Sequence, residues 1–148
     1  MPQLSFHSPL GPLTLSEDDG AIVALDWGWG RDQSETSLLL QGRSQVDEFF
    51  DGLRTEFDLP LLPHGTRYQR RVWDVLTTIA YGKTQTYAEV AQLAGGNARS
   101  VGQANRNNPL PILVPCHRVV AAQGLGGYSG ADGLTTKRHL LALESRSA

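Results

Sequence analysis

The stretch that most limits the fold runs from Thr86 to Pro109. Thr86-Tyr87-Ala88-Glu89 is a capping box, in which a Thr hydroxyl and a Glu three residues on satisfy exposed backbone amides at a helix start. Val90, Ala91 and Leu93 follow as an apolar side, and Gly95-Gly96 breaks the helix. Asn97 then caps a second short helix carrying Arg99, Val101, Ala104, Asn105 and Arg106, which Asn107-Asn108-Pro109 ends. Two short helices about a glycine turn, the second bearing arginines and amides, spell a helix-turn-helix. Many helical hairpins share that outline, so it fixes local architecture more firmly than function.

Upstream, Thr66 caps a helix expected through about Ala80, with Val72, Val75, Leu76 and Ile79 as its core stripe and Gly82 as a stop. Arg67, Arg70 and Arg71 lie near its start, where they oppose the helix dipole. They face either solvent or a phosphate. The first sixty residues read differently. Leu4, Phe6, Leu13 and Leu15 alternate with polar neighbours, and Glu17-Asp18-Asp19-Gly20 is turn chemistry leading into Ile22-Val23-Ala24-Leu25, which predicts an antiparallel meander. Ser44 with Asp47 predicts a helix carrying Val46, Phe49, Phe50 and Leu53, and the alternation of Thr55, Phe57, Leu59 and Leu61 predicts an edge strand. Trp27 and Trp29 suit core or turn packing better than a binding platform.

Charge divides the chain at the same place. Residues 1–63 hold three Arg against eleven Asp/Glu, whereas residues 64–148 hold ten Lys/Arg against four, although the whole chain is only −2. The expected architecture is therefore α+β: a small N-terminal antiparallel sheet-plus-helix domain over 1–63, then a mainly helical domain with a helix-turn-helix over 64–148. A polyanion would meet the second. With 148 residues the chain can bury a substantial core, no apolar run reaches membrane-spanning length, and Met1-Pro2-Gln3 opens no signal peptide. One cysteine excludes an internal disulfide and a multi-cysteine zinc site. A cytoplasmic location follows as the expectation.

That cysteine lies in Pro111-Ile112-Leu113-Val114-Pro115-Cys116-His117-Arg118-Val119-Val120. A lone Cys is most often a small buried hydrophobe, here in a buried strand. His117 and Arg118 beside it favour a reactive thiol instead, since nearby cationic groups lower thiol pKa.

Pro115-Cys116-His117-Arg118-Val119, preceded by Asn108-Pro109-Leu110-Pro111-Ile112, resembles the active-site signature of the O6-alkylguanine-DNA alkyltransferases. The resemblance extends from about Tyr68 to Glu144, through Val72-Trp73, Tyr81-Gly82, Thr86-Tyr87, Arg99-Ser100-Val101-Gly102, Gly127-Tyr128-Ser129-Gly130 and Lys137. It implies that Cys116 attacks the O6-alkyl carbon and keeps the alkyl group as a thioether, each molecule acting once. His117 would be the base, working through a water, because neighbouring side chains of an extended segment point apart. Glu144 would orient His117, and Asn108 would tie the helix-turn-helix to the active-site segment.

The same resemblance implies that the damaged nucleotide leaves the duplex. Arg99 would fill the gap, and Tyr87 would rotate the 3′ phosphate. Ser100, Asn105 and Arg106 would complete the DNA face of the recognition helix, Asn105 standing where some relatives carry an apolar residue. Tyr128 and Ser129 would cover the base, the carbonyls of Cys116 and Val119 would hold its amino group, and Lys137 would line the pocket. The implied partner is double-stranded DNA containing O6-alkylguanine, with O4-alkylthymine as a further candidate lesion. No cofactor, metal or membrane is implied, and the protein is expected to be a monomer. The other readings are an alkyltransferase-like or helix-turn-helix DNA-binding protein without alkyl transfer, and, more weakly, a cysteine hydrolase.

Overall fold

The computed structural model describes residues 1–147. The chain forms two units that divide between His64 and Gly65. In the first, strands β1 (Gln3–Phe6), β2 (Leu13–Asp18) and β3 (Ala21–Trp27) make an antiparallel meander in the order β1-β2-β3. Its tight hairpin uses Asp19 and Gly20 at φ 51° and 80°, positive values that suit a two-residue turn between paired Asp18 and Ala21. Alternation places Leu4, Phe6, Leu13, Leu15 and Leu25 on one buried face. The other face is buried but polar. There Ser5 Oγ meets Thr14 Oγ1 at 2.7 Å, and residues 28–33 cover the pair through Gly30 N–H to Ser5 Oγ and Thr14 Oγ1 to Gly28 O.

Helix α1 (Ser37–Phe50) packs Leu39, Gly42, Val46 and Phe49 on the apolar face. A Cβ at Gly42 would lie 2.8 Å from Leu15 Cδ1, so glycine is what lets the helix come this close. The helix begins at cap Thr36, which accepts from Leu39 N–H, eight residues before the expected start. Ser44 is an exposed mid-helix residue rather than a cap. The expected edge strand over 55–61 is absent as a strand. Only Leu61 forms a parallel bridge, to Ile22, and Trp29 is 52 % exposed, its ring 5.1 Å from that of His7.

In the second unit α2 (Arg67–Leu76) starts at Thr66 with a full capping box to Gln69. It ends four residues earlier than expected: Thr77 and Thr78 turn their hydroxyls onto the carbonyls three residues back. Short strand β4 (Gln85–Thr86) leads into α3 (Tyr87–Ala94), and Gly95-Gly96-Asn97 into α4 (Ala98–Arg106), as the two caps predict. Trp73 Nε1–H donates to Ala104 O at 2.8 Å and locks α2 to α4. Strand β5 (Val119–Val120) pairs parallel with β4, and α5 (Leu134–Ser147) closes the chain. The architecture is thus α+β, a three-stranded sheet with a helix followed by a mainly helical unit. Among the described residues no helix is long and apolar enough to cross a membrane.

Candidate active site

Between α4 and β5 the chain is irregular yet wholly buried from Leu110 to Val119. Asn108 makes this possible by supplying partners that secondary structure would otherwise provide. Its Nδ2 donates to Val114 O at 2.8 Å, its Oδ1 accepts from Leu110 N–H at 2.9 Å, and its side chain also bonds the Cys116 thiol. Ile112 is held at φ 73° while Leu113 N–H reaches Pro111 O at 2.9 Å, a tight three-residue turn that a β-branched residue rarely enters. A second such turn at Pro115 brings Cys116 N–H to Val114 O. Cys116, His117 and Arg118 then form one 3₁₀ turn. This corrects the expectation of an extended segment, although successive side chains of the turn still diverge.

The divergence sorts the three residues. Cys116 is 5 % exposed, and burial pushes its thiol pKa up, opposed by the Asn108 bond, the Lys137 charge and the Tyr128 hydroxyl. Tyr128 is itself raised by burial and by the thiol beside it. His117, fully buried, is lowered by desolvation despite Glu144, so its imidazole is neutral at pH 7. His117 Nε2 lies 2.6 Å from Glu144 Oε2, which places the ring proton on Nε2 and leaves Nδ1 as an acceptor with no partner among the described residues.

Arg118 does not face the thiol, contrary to the sequence-based expectation. Its Nη2 and Nε bond Glu144 at 2.9 Å, its Nη1 donates to Ile79 O at 2.7 Å, and the guanidinium lies 5.6 Å from the Tyr81 ring centre. Gly82 N–H adds a fourth group to the carboxylate. Burial alone would raise Glu144, but the His117 and Arg118 bonds and the Arg118 charge outweigh it and bring its pKa to about 2. The cation that serves the thiol is Lys137. Its Nζ donates to the carbonyls of Val119 (2.6 Å), Leu125 and Gly127 (3.0 Å). Burial brings Lys137 down to about 8, so it keeps its charge at neutral pH.

The segment carrying Tyr128 and Ser129 is tied to three helices. Lys137 of α5 holds two of its carbonyls, Tyr87 Oη of α3 accepts from Gly127 N–H at 3.2 Å, and Ser129 Oγ donates to Arg106 O of α4 at 3.0 Å. Two expected roles are altered. Asn105 is buried, 6 % exposed, and its Nδ2 donates to Cys116 O at 3.2 Å, so it braces the active-site turn instead of facing DNA. Cys116 O also accepts from Val119 N–H, so both its lone pairs are engaged, whereas Val119 O accepts from Lys137 Nζ. Arg99 and Arg106 are exposed on α4, and Ser100 is half-buried at its start.

Arg118, Gly82 and Tyr81 are the residues that sequence reasoning missed in this role. No local pattern marks them, since their partner lies 26 or more positions away in the chain.

Two family models match the chain: "6-O-methylguanine DNA methyltransferase, ribonuclease-like domain" over residues 4–63 and "6-O-methylguanine DNA methyltransferase, DNA binding domain" over 67–146. A Mycobacterium leprae protein named methylated-DNA–protein-cysteine methyltransferase is 42 % identical over 153 residues, covering 95 % of this chain and 90 % of its own. The constitutive protein of that name from Bacillus subtilis is 40 % identical over 152 residues, with 93 % and 92 % covered. The crystal structure of Mycobacterium tuberculosis OGT in complex with DNA superposes with a TM-score of 0.90 at 39 % identity, over 100 % of this chain and 95 % of that one.

Proposed function

Since this chain belongs to the 6-O-methylguanine DNA methyltransferase family, we propose that it repairs O6-alkylguanine in double-stranded DNA by moving the alkyl group, once and irreversibly, to Cys116. The observation that carries this reading is the buried row Cys116, His117, Glu144, with a neutral imidazole whose free nitrogen is an acceptor.

His117 Nδ1 takes the Cys116 proton through one water, and Glu144, ionised at any physiological pH, stabilises the imidazolium that forms. The thiolate sulfur attacks the alkyl carbon on the side opposite O6. A C–S bond forms as the C–O6 bond breaks, the electron pair leaves on O6, and one proton, equivalent to the one His117 took from Cys116 and returned through water, converts the guanine anion to the unmodified base. A saturated carbon suits a soft thiolate, and the thioether has no leaving group for water to displace, so turnover stops at one. Lys137 favours the thiolate through its charge and, with Tyr128 and Ser129, closes the pocket over the base. Val119 O accepts from the guanine amino group.

The base reaches the thiol by flipping. Arg99 enters the stack from α4, Tyr87 crowds the 3′ phosphate, and Ser100 and Arg106 meet the backbone. Asn108 holds α4 to the active-site loop so that delivery and attack stay in register. A thiol that must remain reduced suits the cytoplasm, where we place the protein.

The test is mass spectrometry after incubation with a duplex containing O6-methylguanine. The protein gains one methyl on Cys116 and unmodified guanine remains in the strand. A folded protein in excess that gains nothing would overturn the reading.

A further inference from the structure

Tyr68 lies on α2, outside the pocket, and its hydroxyl sits at the turn of the helix-turn-helix. Tyr68 Oη is 2.9 Å from Gly95 O and 2.9 Å from Ser100 Oγ, so one atom spans the residue that ends α3 and the third residue of α4. The turn between them is only Gly95-Gly96-Asn97, both glycines at positive φ. It is packed tightly against the tyrosine: a Cβ at Gly96 would lie 2.5 Å from Tyr68 Oη and 2.4 Å from Ser100 Oγ. Arg71, one turn further along α2, stacks its guanidinium 5.5 Å from the Tyr68 ring centre, and its Nη2 would lie 3.6 Å from a Cβ at Gly95.

The hydroxyl protons resolve into a chain. Ser100 Oγ accepts from Asn97 N–H at 3.0 Å within the α4 capping box. Its own proton goes either to Tyr68 Oη, which then donates to Gly95 O, or to Asn97 O, with Tyr68 donating to Ser100. In both cases Tyr68 joins α2, which Trp73 already fixes to the far part of α4, to the near end of that helix. The residue beside Ser100 is exposed Arg99. A finger that inserts into a base stack works only from a fixed root, because misplacement near 1 Å can cost orders of magnitude in rate.

We propose that Tyr68 is a positioning residue for DNA repair: its hydroxyl clamps the helix-turn-helix turn to α2 and so sets the angle from which Arg99 enters the duplex. The inference rests on the repair function proposed above. Tyr68 touches neither the thiol nor the base, and its effect passes through α4 alone.

Single-turnover rates with the free base O6-benzylguanine and with an O6-methylguanine duplex separate the possibilities. If the unaltered protein alkylates Cys116 with neither substrate, the repair reading itself has failed. Given that activity, Tyr68→Phe slows the duplex reaction about five-fold, the worth of one net hydrogen bond, and leaves the free-base reaction unchanged. In an Arg99→Ala background Tyr68→Phe adds no further loss, because the residue it positions is gone. Equal slowing with both substrates, no slowing with either, or an undiminished five-fold loss in the Arg99→Ala background would each overturn the proposal.

Discussion

Glu144 is the residue on which the local electrostatics turn. Three residues address its carboxylate, and two of them, His117 and Arg118, are themselves buried. Because its pKa falls from an ordinary 4.5 to about 2, the folded state binds this proton less readily than the unfolded chain. The stabilisation is therefore complete above pH 4.5 and is lost as pH falls toward 2, which urea titrations at stepped pH will show. Glu144→Gln leaves the Arg118 guanidinium buried without its counter-charge and costs about 3–5 kcal/mol at pH 7, measured the same way. His117→Ala keeps DNA binding but slows alkyl transfer at least about a hundred-fold, the usual worth of a positioned base. Since desolvation lowers His117, the rate of the unaltered protein holds as pH drops through 6.5 and falls only below it. The family resemblance gave the His117–Glu144 pair, but the shares of Arg118 and Gly82 in it were not visible at residue scale in the sequence. Cys116, His117 and Arg118 read as three neighbours sharing one environment, yet the 3₁₀ turn sends the last two to Glu144 and leaves the thiol to Lys137, Asn108 and Tyr128. The strained backbone at Ile112 was equally hidden, because nothing local asks an isoleucine to take φ 73°. Such a residue persists only where its surroundings, here a fully buried segment, over-determine it.

At the scale of elements the sequence was more transparent. The starts of α2, α3 and α4 are written in side chains that bond their own helix, Thr66 with Gln69, Thr86 with Glu89 and Asn97 with Ser100. Caps are local, so they can be read without knowing the fold. Where the same grammar occurs inside a helix it misleads: Ser44 and Asp47 have the spacing of a cap but lie within α1, whose true start is Thr36. The edge strand over 55–61 failed for the complementary reason, since alternation is not enough where Pro60 and Pro63 withhold donors and only Leu61 finds a partner. Asn105 shows the limit for a helix face. Its position on α4 was predicted, but whether it met DNA or the interior depended on the segment packed beneath it. The recognition helix also carries the clearest functional prediction. Arg99→Ala will slow repair in duplex DNA by at least about ten-fold, with the free-base reaction preserved, because the free base needs no flipping; the ratio of the two single-turnover rates measures it.

Over the whole molecule the charge is unevenly placed, with a net of −8 on residues 1–63 and +6 on residues 64–148. Binding to unmodified duplex DNA therefore draws on the second unit and weakens with salt, since each neutralised phosphate releases condensed counterions. In fluorescence titrations of the full chain log Kd will rise linearly with log salt, and Arg106→Ala will lower that slope by about one, because its guanidinium meets a phosphate. The split itself was legible from counting charges, because net charge per segment requires no knowledge of contacts. What counting could not supply is which basic residues are free for DNA, and here the structure withdraws Arg118 and Lys137 from the tally by burying both.

Lys137 and Glu144 stand seven residues apart on α5, with buried Leu140 between them on the same side. At 1.5 Å per residue the two heads are rooted about 10 Å apart, two turns along one rod. The helix thus works as a ruler, fixing the distance between the anchor of the pocket's cover and the brace behind the base in a single rigid part. One residue inserted between them would swing Glu144 about 100° away from His117 while leaving Lys137 in place. For this protein, then, spacing along α5 is a functional quantity in its own right, as consequential as the identity of either residue it separates.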